Sequence, residues 1–77
     1  MMNWKTTAKV EFYNNKYIVC ILKDGMYTSL ERTCNDLLDV YAYMYNHSVV
    51  GFECVTENTA KRMTEDFEEL KVRFLKN

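Results

Sequence analysis

The sequence predicts a two-layer α+β domain of order βββαβα, an antiparallel meander plus a fourth strand with two helices packed on the sheet. Three patterns point there. An unbroken apolar run, Tyr17–Leu22, is bracketed by Asn14-Asn15 and Asp24-Gly25, and both pairs tolerate the positive φ that two-residue hairpin turns require. Ahead of it, Ala8, Val10 and Phe12 alternate with Lys9, Glu11 and Tyr13, the period of a half-buried strand. Near the other end, Ala60, Met63, Phe67, Leu70 and Phe74 step by three and four, the stripe of an amphipathic helix.

The elements follow in order. Residues 7–13, 17–22 and 26–30 read as the three meander strands. Thr33 followed by Asp36 is a plausible capping pair for a helix over residues 34–46. On that helix Cys34, Leu37, Leu38, Tyr41, Met44 and Tyr45 face inward, and Asn35, Asp36, Asp39, Tyr43 and Asn46 face outward. Tyr41, Tyr43 and Tyr45 also alternate as a strand would, but Leu37, Leu38, Ala42 and Met44 favour the helix. Residues 49–55 return to strand character, with Val50, Phe52 and Cys54 inward. Residues 56–59 supply caps for a last helix reaching Leu75, whose outer side carries Arg62, Glu65, Asp66, Glu69 and Arg73. Without proline, linker or repeat, residues 1–77 form a single domain. Trp4 shares parity with Ala8 and Val10 and is expected at the core edge.

Two-residue turns also fix which residues oppose each other, and opposed residues share a sheet face. The first turn sets Phe12 against Tyr17, Val10 against Val19 and Ala8 against Ile21. The second sets Ile21 against Thr28 and Val19 against Leu30. That face is apolar and is assigned to the helices. The other carries an apolar row, Ile18, Cys20 and Leu22, flanked by Tyr13 and Tyr27 and rimmed by charges, the composition of a recognition surface. Tyr13, Ile18, Leu22 and Tyr27 are therefore the first candidate partner-binding residues. Asp36, Asp39 and Tyr43, an acidic and aromatic cluster on the first helix, are the second.

Composition narrows the function classes. Ten basic and eleven acidic residues give a formal charge of −1, too little positive charge to hold a nucleic-acid backbone. A βββα opening occurs in several DNA-binding domains that read a groove with their sheet, but the sheet here lacks the row of Arg and Lys such docking needs. The five bases of the first half, Lys5, Lys9, Lys16, Lys23 and Arg32, leave a small nucleic-acid-binding regulator as the alternative. Three widely spaced cysteines, Cys20, Cys34 and Cys54, form no zinc-ligand pattern. Cys34 at a helix start is the one with a route to a depressed pKa. His47 is the sole histidine, with no positioned acid or nucleophile in sequence to make it a general base. Two glycines, Gly25 and Gly51, rule out a glycine-rich phosphate loop. The expectation is a protein without catalytic residues, metal or cofactor.

Phe, Tyr, Met, Ile, Asn and Lys supply 31 of the 77 residues, against 8 for Gly, Ala, Arg and Pro, the bias of an AT-rich genome. A short chain of this kind suits a phage or mobile element. The expected function is thus a small non-enzymatic protein-interaction module that binds and inhibits a host macromolecule, of the anti-defence or anti-CRISPR type. Its expected partner is a host protein or protein complex, with a structural homodimer as a further alternative. No apolar stretch is long enough to span a bilayer, so the expected location is the host cytosol, with no membrane partner.

Overall fold

A computed structural model describes residues 5–75, with side chains through Arg73. Trp4 and the side chain of Phe74 lie outside the described residues. The order is β1 (Thr6–Tyr13), β2 (Lys16–Lys23), β3 (Met26–Cys34), α1 (Leu37–Asn46), β4 (Gly51–Cys54) and α2 (Glu57–Leu75). The domain is a small α+β fold with one mixed sheet in the order β3-β2-β1-β4.

Both hairpins turn as their residues dictate. Asn14 and Asn15 have φ of 53° and 65°, and Asp24 and Gly25 have 54° and 83°. Positive φ at both central positions gives the turn whose twist matches that of the flanking strands. The first turn sets the pairs Phe12–Tyr17, Val10–Val19 and Ala8–Ile21, as the sequence predicts.

The second hairpin departs from its predicted register. Leu22 opposes Tyr27, but Cys20 opposes Glu31, Val19 opposes Arg32 and Tyr17 opposes Cys34. Between those pairs β3 carries two residues more than a regular ladder allows. Thr28 absorbs them: its hydroxyl donates to the Ile21 carbonyl at 2.8 Å and accepts the Leu30 N–H at 3.1 Å. Backbone groups that the bulge unpairs thus find a side-chain partner. A shift of two residues leaves parity unchanged, so each side chain keeps its predicted face.

The extra residues carry β3 to Cys34, and α1 starts at Leu37 rather than at residue 34. Its N-cap is Asp36, whose carboxylate accepts the Asp39 N–H at 2.9 Å. Cys34, fully buried at the strand end, belongs to the core and not to the helix start. Leu37, Val40 and Met44 are the buried stripe of α1, while Leu38 and Tyr45 are exposed. The stripe is rotated from the predicted one, with Val40 in place of Leu38 and Tyr45.

Sheet strands β3 and β4 are both parallel to β1, so α1 is the crossover that carries the chain from one sheet edge to the other. Ala8, Val10, Tyr17, Val19, Ile21 and Cys34 join Leu37, Val40, Met44 and Met63 in one core, which places both helices on the same sheet face. Of the predicted α2 stripe, Met63 is buried and Leu70 partly so, but Ala60 is exposed and Phe67 is 46% exposed. The inward line runs Thr59, Met63, Asp66, Leu70. Met63→Ala is therefore expected to cost about 2–5 kcal/mol, and Phe67→Ala about 1 kcal/mol, in proportion to the smaller area it covers. Urea titration of the two variants, at protein concentrations low enough to exclude self-association, checks this ordering.

Candidate functional site

With both helices on one side, no helix among the described residues lies over the opposite sheet face. Strand alternation puts Lys9, Glu11 and Tyr13 of β1, Ile18, Cys20 and Leu22 of β2, Tyr27 and Glu31 of β3 and Glu53 of β4 on this face. Three cross-strand contacts organise it. Lys9 Nζ lies 3.5 Å from a Glu53 carboxylate oxygen and 5.4 Å from the centre of the Tyr27 ring. Cys20 Sγ donates to Glu31 at 3.4 Å. Tyr27 and Glu53 push the pKa of the Lys9 ammonium up.

All four candidates on the sheet fall on this face, and they differ in accessibility. Tyr13 is 66% and Tyr27 63% exposed, and Ile18 is half-buried. Leu22 is only 4% exposed. Thr7 and Tyr27 oppose it on either side, and the Lys9 chain reaches across toward Tyr27, so Leu22 forms the floor of the face rather than a contact point. A depression of about 520 Å³ lies beside it, lined by Thr7, Lys9, Leu22, Gly51 and Glu53. It is open because Gly51 has no side chain to set against Thr7.

Asp36, Asp39 and Tyr43 sit in the other layer, on α1, and do not join the tyrosine-flanked face. Asp36 is occupied as the N-cap. Asp39 forms an ion pair with Arg32 at 3.3 Å, and the Arg32 guanidinium lies 6.0 Å from the Tyr43 ring centre. Tyr43 packs against the core and meets the His47 ring edge-on at 4.6 Å, rather than standing on an exposed face. Arg32 thus offsets the acidic cluster, and the sequence separation of the two gave no hint of it.

A second site was not legible in the sequence. Tyr17, buried in β2, donates its phenol to Asp66 at 2.5 Å, and Arg62 Nε donates to the same carboxylate oxygen at 3.3 Å. Arg62 also covers the Phe12 ring at 4.9 Å. These groups line a cleft of about 270 Å³ that Asn15, Asn35, Glu69 and Arg73 complete. Its arginines are matched within the chain, Arg62 by Asp66 and Arg73 by Glu69, so the cleft offers hydrogen-bonding edges without net positive charge.

The reactive side chains are held quiet. Burial raises the thiol pKa of Cys34, with Asp39 adding to it, and burial likewise raises those of Cys20 and Cys54. Cys34 therefore lacks the depressed pKa considered for a helix start. His47 is the C-cap of α1, its backbone N–H directed at the carbonyls of Tyr43 and Met44. Among the described residues no group of three His, Cys, Asp or Glu side chains could hold a metal ion, and no helix is long and apolar enough to cross a membrane. Comparison with known proteins finds no matching family model, no matching curated protein and no matching solved structure.

Proposed function

We propose that this domain is a non-enzymatic protein-interaction module that engages a protein partner through its helix-free sheet face. One observation carries the reading. A four-stranded sheet keeps one face clear of both helices and presents there two exposed tyrosines, Tyr13 and Tyr27, around half-buried Ile18 and Cys20. Tyrosines around an apolar centre with a charged rim make up the contact surfaces that proteins use for one another. Three of the five bases argue against the nucleic-acid alternative: Lys9 and Arg32 are engaged by Glu53 and Asp39, and Lys16 donates to Asn35 at 2.7 Å. Phosphate binding at these three would have to displace those partners.

The finer proposal is that the partner is a host macromolecule inhibited by occupation, the module being an accessory protein of a phage or mobile element that acts in the host cytosol. Small size and AT-biased composition support it. The test is affinity capture from host extract with the wild type beside Ile18→Lys and Tyr27→Ala. Both variants are expected to keep the wild-type circular dichroism spectrum and to lose the captured protein, because charge insertion and aromatic truncation matter most at the centre of a contact patch. Gel-shift titration at two salt concentrations is the counter-test. Sequence-selective DNA binding that persists at physiological salt and is lost on changing Lys9, Lys16 and Lys23 to alanine would replace this reading with the regulator.

A further inference from the structure

We propose that two copies of the chain pair through the outer flank of α2, the helices running antiparallel with Thr64 at the two-fold axis. Glu57, Ala60, Lys61, Thr64, Phe67, Glu68 and Lys71 recur at spacings of three and four, and all seven are exposed. Such spacing makes one continuous stripe, and it lies well round the helix from the buried line through Met63 and Leu70. Beside it runs an apolar groove of about 320 Å³ between α2, α1 and β4, walled by Tyr41, Phe52, Ala60, Thr64 and Phe67. Phe52 and Phe67 are 43% and 46% exposed, a large aromatic area for a chain of this size to leave in water.

The charges on the stripe name the occupant. Antiparallel pairing about Thr64 brings Lys61 of one copy to Glu68 of the other and Glu57 of one copy to Lys71 of the other. Each contact is repeated by the two-fold axis, as an isologous interface demands. In-register parallel pairing would set each of these charges against its own kind. The opposite flank of α2 satisfies its charges within the chain, through Arg62–Asp66 and Glu69–Arg73. Glu57, Lys61, Glu68 and Lys71 enter none of the ion pairs among the described residues. Ala60 supplies the hole: with a single methyl group there, Phe67 of the second copy lies between Ala60 and Thr64 and closes the groove over Phe52. This surface is separate from the helix-free sheet face, so dimerisation leaves both copies of that face free and doubles the valence of the module.

Sedimentation equilibrium of the full chain tests the pairing, with circular dichroism to confirm folding of each variant. The wild type is expected at twice the 9.2 kDa chain mass. Lys61→Glu and Glu68→Lys are each expected to weaken the dimer by roughly tenfold or more, since each sets like charges opposite one another. The double reversal K61E/E68K should restore it, and the two single variants, mixed, should pair with each other. Phe67→Ala should also weaken it, while Ile18→Lys should not. A wild-type monomer at high micromolar concentration would overturn the proposal. So would a dimer indifferent to the single reversals, a double reversal that fails to restore pairing, or a dimer lost on Ile18→Lys.

Discussion

Replacing Tyr17 with alanine is expected to leave the domain unfolded or nearly so at room temperature. Tyr17 is 1% exposed, opposes Cys34 at the end of β3, meets the Phe12 ring edge-on with centroids 4.8 Å apart and donates to Asp66. Truncating a large buried aromatic costs about 3–5 kcal/mol, and removal of the phenol also takes from the Asp66 carboxylate its shortest hydrogen bond, leaving it to Arg62 alone. The whole stability of a small domain is about 5–15 kcal/mol, so the loss is comparable to the total. Tyr17→Phe separates the two contributions. It keeps the ring and is expected to cost about 1–2 kcal/mol for the lost hydrogen bond.

Alkaline pH reads the same bond. Burial first, and then the hydrogen bond to Asp66 and its negative charge, hold the Tyr17 phenol well above its ordinary pKa. A group that keeps its proton longer when folded contributes stability that is complete below its unfolded pKa of about 10. That contribution is lost as pH rises past this value toward the folded one. The wild type should therefore lose stability between about pH 9 and about pH 11 faster than Tyr17→Phe, and urea titrations at the two pH values measure the difference. A constant gap between the two proteins would show that the phenol is not held by the fold.

The second large effect belongs to Thr59. Strand β4 is short, and its ladder with β1 ends where the Val55 N–H meets the Val10 carbonyl. The next outward N–H of β1, that of Phe12, has no strand left to pair with. Thr59 Oγ1, fully buried in the first turn of α2, accepts it at 2.8 Å. Thr56 Oγ1 in turn lies 2.9 Å from Thr59 Oγ1 and accepts the Thr59 N–H at 3.1 Å, so one hydroxyl pair both caps the helix and finishes the sheet. Thr59→Val keeps shape and volume but leaves the Phe12 N–H without a partner, at about 1–3 kcal/mol. Thr59→Ser keeps the acceptor and should cost less, roughly the 0.8 kcal/mol of one buried methyl group. Amide hydrogen exchange at Phe12 should accelerate in the valine variant and not in the serine one.

How far the sequence could be read depended on which groups carried the signal. Asn14-Asn15 and Asp24-Gly25 announce themselves by backbone conformation alone, and the first of them places every side chain of β1 and β2 on its correct face. The β3 bulge was hidden because a single hydroxyl, that of Thr28, makes it tolerable, and threonine is also an ordinary strand residue. Helix phase misled for a related reason. Asp66 and Thr59 look like outer residues on a hydrophobic scale, yet each faces inward to satisfy a buried donor, the Tyr17 phenol and the Phe12 N–H. With Asp66 assigned to the outer side and Thr59 only to the cap, the stripe falls on Phe67 instead. The candidate sheet face survives these shifts because the bulge has even length. The sequence holds no pattern linking Arg32 to Asp39 and Tyr43, since that cluster is assembled only when α1 crosses the sheet.

The strand order has a consequence for how the chain comes together. β1 is made before the other three strands of the sheet and ends up inside it, hydrogen-bonded to β2 on one side and to β4 on the other. Its first neighbour arrives at once through a two-residue turn, whereas its second arrives only after β3 and α1 have been synthesised. During that interval one flank of β1, with Val10 at its middle, offers unpaired backbone groups to any extended segment that passes. The meander is local in contact and quick to close, while β4 and α2 dock late and carry the entropy of the long loop they shut. Guarding the nascent β1 thus falls to β4 and α2, with the hydroxyl of Thr59 as its final latch.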